Sequence, residues 1–418
     1  MTLCHGPSAL HDPAPGRDLG DGHWVHLLQG AVELFPALIH ALDGARTAIQ
    51  FETYIFDFTG AGAGVAAALE RAAQRGVRTC VLVDGFGTAP MPPEWRVRFE
   101  AAGVQYRVYS PLGRLDLFVL QRWQRLHRKL CVVDREVLFC GGINVLDDFY
   151  DPNYGVLEAP RFDFAVQASG SLVGQASDTM EKVWLRIQAV SEVRHHHLSD
   201  AVRALRAARA ASHAAKKKPL TGARMRAALV LRDNLRNRSR IEKAYLRAIG
   251  FAREEIIIAN AYFVPGRKLR RALLLAAQRG VRVRLLLQGR YEYFMQYHAA
   301  RPVYGALLAA GVEIHEYAPS FLHAKVAVID ALAHRPWATV GSSNLDPLSL
   351  LLAREANLVI EDAAFAQDLR ERLVQAMDSA GKLLDPASYA LRPWRERVLD
   401  RIAFAIMRMA LWVAGKNY

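Results

Sequence analysis

The sequence of 418 residues contains only four cysteines, and they are scattered along the chain at Cys4, Cys80, Cys131 and Cys140. Their spacing matches no zinc-binding signature, which favours reduced thiols in a cytosolic protein. No apolar run approaches the roughly 18 residues that a membrane-spanning helix needs. The N-terminus carries neither a basic start nor an apolar stretch, so no secretory signal is expected. Any contact with a membrane is therefore expected to be peripheral.

Positive charge is what the chain has in excess. The 54 lysines and arginines outnumber the 41 aspartates and glutamates, which gives a net charge of +13 and a pI near 9.7. This balance indicates a polyanionic partner: nucleic acid, an anionic membrane surface or a phosphate-bearing substrate. The charge alone does not choose among them. The length exceeds what one hydrophobic core usually supports, so two domains are expected.

A seven-residue segment, AAQRGVR, occurs at 72–78 and again at 276–282. The sequence around it repeats as well: each half predicts a strand, a helix with a glycine after its end, a second strand, a further helix and a strand that begins with Gly-Val. Strands that alternate with helices at this spacing predict parallel pairing with helices packed on the sheet. The sequence therefore predicts an α/β protein made of two similar lobes.

These patterns divide the chain into five predicted segments. Residues 194–240 are rich in alanine, arginine and lysine, and predict a solvated connector that is partly helical. The three histidines at 195–197 lie in this segment and are expected to face solvent. The full division is an N-terminal extension at 1–23, a first lobe at 24–193, the connector at 194–240, a second lobe at 241–380 and a C-terminal segment at 381–418.

Both halves carry the motif H-x-K-x-x-x-x-D, in LHRKLCVVD at 126–134 and in LHAKVAVID at 322–330. Each motif is followed by a turn of small residues that ends in asparagine, GGIN at 141–144 and GSSN at 341–344. Positions i and i+2 of a strand point to one face, so the histidine and the lysine of each motif project together. If the lobes pack about an approximate two-fold axis, two histidines and two lysines converge: His127, Lys129, His323 and Lys325.

Such a site suits a phosphodiester. The lysines would neutralise the phosphoryl oxygens, and the amides of Asn144 and Asn344 would add hydrogen bonds. One neutral imidazole can attack phosphorus while the other, protonated, donates to the leaving oxygen. No metal and no other cofactor is expected, because the lysines supply the positive charge.

The two motifs with their downstream G-[GS]-x-N turns resemble the phospholipase D superfamily. Within it, the segments YIFDFTGAG, VLVDGFG, HRKLCVVD, GGIN and GSSNLDPLSLLLAREANL resemble the bacterial cardiolipin synthases of the short type, which lack N-terminal transmembrane helices. The resemblance covers nearly all of residues 24–380. It implies two phospholipase D-like lobes about a pseudo-two-fold axis, with a mixed or parallel sheet flanked by helices.

The resemblance also implies roles for individual residues. His127 would be the nucleophile that forms a phosphohistidine, and His323 the general acid and later the base. The phosphate would be bound by Lys129, Lys325, Asn144, Ser342 and Asn344. Asp163 in RFDF and Glu355 in AREANL would each hydrogen-bond the histidine of the opposite half. Asp134 and Asp330 complete the catalytic motifs and are expected to orient the loops that follow their strands.

The C-terminal run at 393–418 predicts an amphipathic helix with arginines on one stripe and apolar residues about a third of a turn away. Trp394 and Trp412 give it the character of an interfacial helix. From Arg392 onwards six basic and two acidic residues give a net charge of +4, which suits an anionic membrane surface. The alternative is a terminal helix packed on the protein core. The expected location is the cytoplasmic face of the inner membrane, by peripheral attachment.

The leading hypothesis is a cardiolipin synthase that transfers a phosphatidyl group from phosphatidylglycerol or phosphatidylethanolamine to phosphatidylglycerol. A hydrolytic phospholipase D with water as acceptor is the first alternative. A nuclease of the same superfamily would suit the positive charge but has no need of the tryptophan-bearing C-terminal run. A membrane scaffold without activity is the fourth reading, which the two complete motifs oppose. The expected partners are phospholipids, with neither nucleic acid nor an obligate protein partner.

Overall fold

The computed structural model describes residues 19–110, 125–151, 153–194, 225–233, 237–290, 294–346 and 353–413. Cys4, the histidines at 195–197 and most of the predicted connector lie outside these ranges. The first lobe comprises β1 (Gly20–Gln29), α1 (Gly30–Asp43), β2 (Ala48–Thr53), α2 (Gly60–Gln74), β3 (Arg78–Asp84), α3 (Pro93–Ala102), β4 (Gln105–Tyr109), β5 (Arg125–Leu126), β6 (Lys129–Val133), β7 (Val137–Gly141), β8 (Tyr150–Asp151), β9 (Gly155–Val156), β10 (Phe164–Ser169) and α4 (Ser171–Arg194).

The second lobe repeats this order. It comprises β11 (Met225–Arg232), α5 (Arg240–Phe251), β12 (Glu255–Asn260), α6 (Arg267–Gln278), β13 (Arg282–Gln288), α7 (Phe294–Ala309), β14 (Glu313–Tyr317), β15 (Lys325–Ile329), β16 (Trp337–Gly341), β17 (Ala353–Glu361) and α8 (Ala363–Ala380). Three further elements follow it: β18 (Gly381–Leu383), α9 (Pro386–Ala390) and α10 (Trp394–Val413).

The lobes share one mixed sheet, in the order β18-β14-β13-β12-β15-β16-β17-β11-β1-β10-β7-β6-β2-β3-β4. Strands β2, β3 and β4 are parallel, as are β12, β13 and β14, whereas the inner strands of each lobe pair antiparallel. The lobes meet where β1 pairs antiparallel with β11. The order reads the same outwards from this junction as far as β4 and β14. The prediction of two similar α/β lobes related by a pseudo-two-fold axis is confirmed.

The AAQRGVR repeat marks the same helix end in both lobes. Gly76 and Gly280 follow α2 and α6, and both have φ of +87°, a conformation that glycine adopts at little cost. The next residue folds back in each case: Val77 N–H donates to Ala72 O at 3.1 Å, and Val281 N–H does the same to the equivalent carbonyl at 3.1 Å. The chain then enters β3 or β13, whose residues after the first are mostly buried. The repeated letters therefore encode a repeated helix-to-strand turn.

One domain boundary is wrong. Strand β11 lies inside the segment 194–240 predicted to be a solvated connector, yet it pairs with β17 and β1 in the middle of the sheet. Its alternate residues Ala227, Leu229 and Leu231 are buried in the core. The surrounding arginines and alanines lowered the average hydrophobicity and hid this short alternation. The second lobe therefore begins no later than Met225.

The hydrophobic core continues from one lobe into the other. One hydrophobic cluster on one face of the sheet combines residues of both lobes with α4 and α8, through side chains such as Leu172, Met180, Phe365 and Leu373. The other face carries one cluster per lobe, under α1 and α2 in the first lobe and under α5 and α6 in the second. Because the shared cluster crosses the junction, the lobes form one rigid support for side chains that meet between them.

Helix α10 lies along α7 and exposes its opposite face. Asp400 and Ala403 are buried against α7, and the Asp400 carboxylate lies 2.7 Å from His298 Nδ1. Trp394, Ile402 and Met409, on the other side, are between 50% and 69% exposed. One face of the helix is therefore packed on the protein, and an interfacial role for the exposed face stays a prediction. Within the described residues no helix is both long and apolar enough to cross a bilayer.

Candidate active site

Each histidine lies where its motif crosses to the other lobe. His127 follows β5, which pairs in parallel with the start of β17, and its N–H donates to Arg354 O at 3.1 Å. His323 N–H donates to Phe162 O at 2.9 Å in the corresponding crossing. Both carbonyl partners immediately precede an acidic residue. The backbone therefore places each histidine beside a carboxylate of the opposite lobe.

The two carboxylates contact the imidazoles directly. His127 Nδ1 lies 3.0 and 3.1 Å from the two oxygens of Glu355, and His323 Nδ1 lies 2.6 Å from Asp163 Oδ2. Both carboxylates are almost wholly buried. When Nδ1–H donates to the carboxylate, Nε2 is left to act on a ligand. The contacts thus fix the ring orientation and, for a neutral ring, the tautomer.

Two buried lysines share the site. Lys129 Nζ donates to His127 O at 2.9 Å, and Lys325 Nζ donates to His323 O. The pKa of Lys129 is lowered to about 7, mainly by burial; the charge of Glu355 opposes this shift and the charge of Lys325 adds to it. The two ammonium groups lie near enough for the charge of Lys325 to lower the pKa of Lys129. An anionic ligand there would favour their charged forms.

The pKa values of the two histidines are lowered to different extents. Burial lowers the pKa of His127, and attraction to Glu355 opposes that shift. Burial also lowers the pKa of His323, well below its ordinary value, and the charges of Lys325, Lys129 and His127 lower it further. The crossed contacts with Glu355 and Asp163 place both histidines where the two lobes meet.

The two asparagines lie in equivalent turns. Asn144 is buried and accepts a hydrogen bond from Ile55 N at 3.2 Å through its side-chain oxygen, which orients its amide. Asn344 is buried at the matching place after β16. Both turns lie beside the motif strands, because β7 pairs with β6 and β16 with β15. A role in phosphate binding remains a prediction for both.

Ser342 does not present its hydroxyl proton to the cavity, contrary to the expected role in substrate binding. Its Oγ donates to Glu355 Oε2 at 2.5 Å and accepts from Ala356 N at 3.1 Å. A serine hydroxyl has one proton to donate, and Ser342 donates it in the hydrogen bond to Glu355. The side chain is also wholly buried. Ser342 therefore acts on Glu355, and the equivalent position in the first lobe is Gly142.

Asp134 and Asp330 lie at the far ends of β6 and β15 from the histidines. The Asp134 carboxylate accepts from the backbone N–H groups of Arg46, Thr47 and Ala48 at 2.8 to 2.9 Å. Asp330 does the same for the three residues Arg253, Glu254 and Glu255 at 2.9 to 3.0 Å. Asp134 and Asp330 therefore do not belong to the catalytic set. The segments that they contact are also not the loops after their own strands, which they were expected to orient. They hold the segments that lead into β2 and β12.

The structure adds two residues that the motifs did not indicate. The ring of Tyr54 lies 4.9 Å from the imidazole of His127 and 5.4 Å from Lys129 Nζ, measured to the ring centroids and to the ammonium nitrogen. Arg232, at the end of β11, is buried and is the cross-strand partner of Glu355. The sequence could have indicated Tyr54, because it directly follows β2, at a position where a side chain reaches the site. It could not have indicated Arg232, which was predicted to lie in the connector. In the described part of the chain, no three side chains of metal-binding type converge.

Comparison with known proteins agrees with this geometry. Residues 38–157 and 245–377, together more than half of the chain, match the family model described as cardiolipin synthase, PLD-like domain. The chain belongs to this family. It is 36% identical over 389 residues to cardiolipin synthase B of Escherichia coli (strain K12), covering 93% of this chain and 88% of that protein. It is 30% identical over 351 residues to cardiolipin synthase A of Pseudomonas fluorescens (strain SBW25), covering 84% and 67% respectively.

A solved structure shares the fold. The crystal structure of phosphatidylserine synthase from Haemophilus influenzae Rd KW20 has a TM-score of 0.66 to this chain, with 12% sequence identity and 94% of each chain covered. At that identity the likeness concerns the fold alone. The family membership indicates an enzyme that transfers phosphatidyl groups.

Proposed function

We propose that this protein is a cardiolipin synthase that works through a phosphohistidine. The donor is phosphatidylglycerol or phosphatidylethanolamine, which offer the same phosphodiester, and the acceptor is a headgroup hydroxyl of phosphatidylglycerol. In the first step, Nε2 of one histidine attacks phosphorus and the bond to the headgroup oxygen breaks. The second histidine gives a proton to that oxygen, so glycerol or ethanolamine leaves neutralised at the oxygen.

The second step reverses the proton transfer. The histidine that gave its proton now takes one from the incoming hydroxyl, whose oxygen bonds to phosphorus as the phosphorus–nitrogen bond breaks. Lys129 and Lys325 would offset the negative charge that builds on the phosphoryl oxygens, together with the amides of Asn144 and Asn344. Burial of these groups strengthens each interaction relative to water.

The observation that carries the proposal is the crossed pairing of His127 with Glu355 and of His323 with Asp163. Two imidazoles oriented by carboxylates and flanked by two lysines are what an in-line transfer between two hydroxyl-bearing molecules requires. The same geometry would serve water as acceptor, so phospholipase D activity is the alternative product outcome. The relatives named cardiolipin synthase favour the lipid acceptor.

Product analysis tests the proposal. Purified full-length protein is incubated with vesicles of phosphatidylglycerol alone, or of phosphatidylglycerol with labelled phosphatidylethanolamine, and the lipids are resolved by mass spectrometry. Cardiolipin with release of glycerol or ethanolamine is the expected result, and the label identifies the donor. His127→Ala and His323→Ala should each lower the rate by at least about a thousandfold. Phosphatidic acid as the sole product would contradict a synthase, and nucleic acid cleavage without lipid turnover would contradict both lipid activities.

We also propose that α10 attaches the enzyme to an anionic membrane surface, on the cytoplasmic side. Apolar residues recur on its exposed side at intervals of three or four, in the set Trp394, Val398, Ile402, Ile406 and Met409, each 42% to 69% exposed. Arg397, Arg401 and Arg408 lie beside this stripe and are exposed as well. A helix of this kind places its apolar side among the acyl chains and its arginines at the headgroups.

A further inference from the structure

A cleft with a volume of about 240 Å³ lies between the start of α6 and the second half of α10. It is lined by Arg267 and Arg270 of α6, by Phe404 and Arg408 of α10, and by Pro265, which precedes α6. Three of these five side chains carry a positive charge, and none carries a negative one. The cleft is therefore a candidate site for an anion, and it shares no residue with the active site.

The charges of the cleft are not compensated by nearby acidic residues. Among the side chains that the structure describes, no aspartate or glutamate forms an ion pair with any of the three arginines. Other exposed arginines do have such partners: Arg71 lies 2.8 Å from a carboxylate and Arg282 lies 2.7 Å from another. Like charges around one cleft repel each other, and an anion between them would replace that repulsion by attraction.

The amino end of α6 adds to the positive charge of the cleft. Gly266 precedes the helix, so no side chain caps its first N–H groups, and the first turn contains no acidic residue. The first four residues instead include the basic side chains Arg267, Lys268 and Arg270. Because the amino end of a helix carries a partial positive charge, basic residues there are unfavourable unless an anion lies close by. The helix end and the arginines therefore favour an anion at the same place.

The first lobe shows that these arginines are not part of the shared fold. Counted back from the repeated AAQRGVR segment, Ala63 and Ala66 of α2 stand at the places of Arg267 and Arg270. Ala66 is wholly buried, whereas Arg270 is half-buried and lines the cleft. Helix α10, which supplies Arg408, is itself an addition after the second lobe. The basic side chains of α6 and α10 thus occur together, which indicates that they serve one site.

The cleft lies at the edge of the sheet that carries the active site. Asn260, the last residue of β12, is the cross-strand partner of Lys325, and α6 begins shortly after it. In the connecting segment, Val264 N–H donates to Leu345 O at 3.1 Å, directly after Asn344. A ligand in the cleft would therefore be bound on the side of the protein where the lipid substrates are proposed to react.

We propose that this cleft binds the phosphate of an anionic phospholipid that is not turned over, and so holds the active-site edge of the protein at the membrane surface. The proposal rests on the lipid substrates and the attachment of α10 proposed above. A guanidinium group suits a phosphate because it donates two parallel hydrogen bonds to its oxygens. Phe404 and the exposed apolar stripe of α10 would contact the apolar part of the same lipid. A zwitterionic lipid with a choline group would bring a cation that the three arginines repel.

Arg270→Gln tests the site, with Arg271→Gln as the matched control. Arg271 is the next residue of α6, is exposed and does not line the cleft, so both variants lose one charge from the same helix. Co-sedimentation of the full-length proteins with vesicles of phosphatidylcholine and phosphatidylglycerol measures the affinity, and thermal unfolding checks the fold. Arg270→Gln, and likewise Arg408→Gln across the cleft, should weaken binding about twentyfold, as expected for lost hydrogen bonds between charged groups. Arg271→Gln should weaken it less than about fivefold, the effect of one charge near an anionic surface.

Kinetics distinguishes attachment from catalysis. Arg270→Gln should raise the vesicle concentration that gives half the maximal rate of cardiolipin formation about tenfold. The maximal rate itself should stay within about twofold of the wild type, because a protein that is fully bound has the same active site. A lowered maximal rate with unchanged half-saturation would place Arg270 in the catalytic machinery and contradict the proposal.

Two further measurements identify the ligand. Vesicles in which oleate replaces phosphatidylglycerol at equal surface charge present carboxylates, and on them Arg270→Gln and Arg271→Gln should bind alike. A difference that persists on oleate would contradict a phosphate site. Inorganic phosphate should leave the thermal unfolding midpoint of the wild type unchanged. A rise that Arg270→Gln abolishes, without a difference between the variants on vesicles, would assign the cleft to free phosphate and overturn the lipid.

Failure of the site is separable from failure of the proposed function, because binding to vesicles needs no turnover. If the wild type makes cardiolipin but Arg270→Gln and Arg271→Gln weaken binding to phosphatidylglycerol vesicles equally, only the site fails, and the arginines act as general surface charge. If the wild type shows the expected binding pattern but makes no cardiolipin, the site stands and the proposed function fails.

Discussion

The two lobes have the same fold but differ in the side chains at one pair of buried positions. In the first lobe, Arg128 and Glu52 form a buried ion pair with a distance of 2.7 Å, and each side chain is at most 3% exposed. The register of the strands gives Ala324 and Ala259 at the equivalent positions of the second lobe. The same backbone thus accepts either two small apolar side chains or two charges. What the lobes share is the frame of the site, and what differs around that frame adjusts each half.

The largest effect should come from comparing the two carboxylates. Glu355→Gln removes the charge that favours the imidazolium of His127, so we expect a loss of roughly a hundredfold to ten-thousandfold in turnover. Asp163→Asn keeps an oxygen that can accept from His323 Nδ1, and we expect a loss of only about tenfold. Initial rates of cardiolipin formation under saturating lipid measure both. Equal losses would mean that the lobes contribute equivalently and that their differences have no catalytic consequence.

The buried ion pair allows a comparison in terms of stability. Glu52→Ala leaves the Arg128 charge buried without its partner, and we expect a loss of about 3–5 kcal/mol in the free energy of unfolding. The double variant Arg128→Ala, Glu52→Ala reproduces the arrangement of the second lobe and should regain most of that loss. Denaturant unfolding of the wild type, both single variants and the double variant gives the coupling energy. A double variant as unstable as the sum of the singles would show that the first lobe cannot accept the alanine pair.

The sequence carried the duplication and the motifs more clearly than their surroundings. The repeated segment identified both lobes because the helix-to-strand turn in each requires glycine at the same place. The common direction of the His127 and Lys129 side chains could be predicted because it requires only that both lie on a strand. Strand β11 was missed because a short alternation of buried residues has little weight inside a basic, alanine-rich segment. The partners of Ser342 and Asp134 could not be read from spacing at all. Each lies on a different strand or in a distant loop, so only the register of the sheet decides what its side chain reaches.

The two motif aspartates offer a smaller and more symmetrical test. Asp134 accepts three backbone N–H groups and the Thr47 hydroxyl, so Asp134→Asn should cost about 2 kcal/mol of unfolding free energy at pH 7. Activity of the folded variant should stay near that of the wild type, and Asp330→Asn should behave alike. A loss of activity without a loss of stability would restore a catalytic role.

The pH dependence of the same variant follows from the pKa of Asp134. Burial alone would raise it, but the N–H donors outweigh burial and the pKa is lowered in the folded protein. The stabilisation is therefore fully present above the ordinary aspartate pKa of about 4 and is lost as the pH falls through the lowered value. The difference in stability between wild type and Asp134→Asn should accordingly disappear at acid pH. A difference that persists there would point to packing and not to the carboxylate charge.

The smallest effect concerns an addition to one lobe. Helix α10 covers α7 in the second lobe, and its exposed stripe is proposed to enter the membrane surface. Ile402→Asn and Ile406→Asn should each weaken binding to vesicles of phosphatidylglycerol and phosphatidylethanolamine severalfold. Each removes apolar area from the side of the helix that is proposed to enter the membrane surface. Both side chains are about half exposed, so the unfolding midpoint should hardly change. Val32→Asn, at an 80% exposed position on α1 in the first lobe, is the matched control. If it weakens vesicle binding as much as the α10 variants do, the membrane contact belongs to both lobes and α10 has no special part in it.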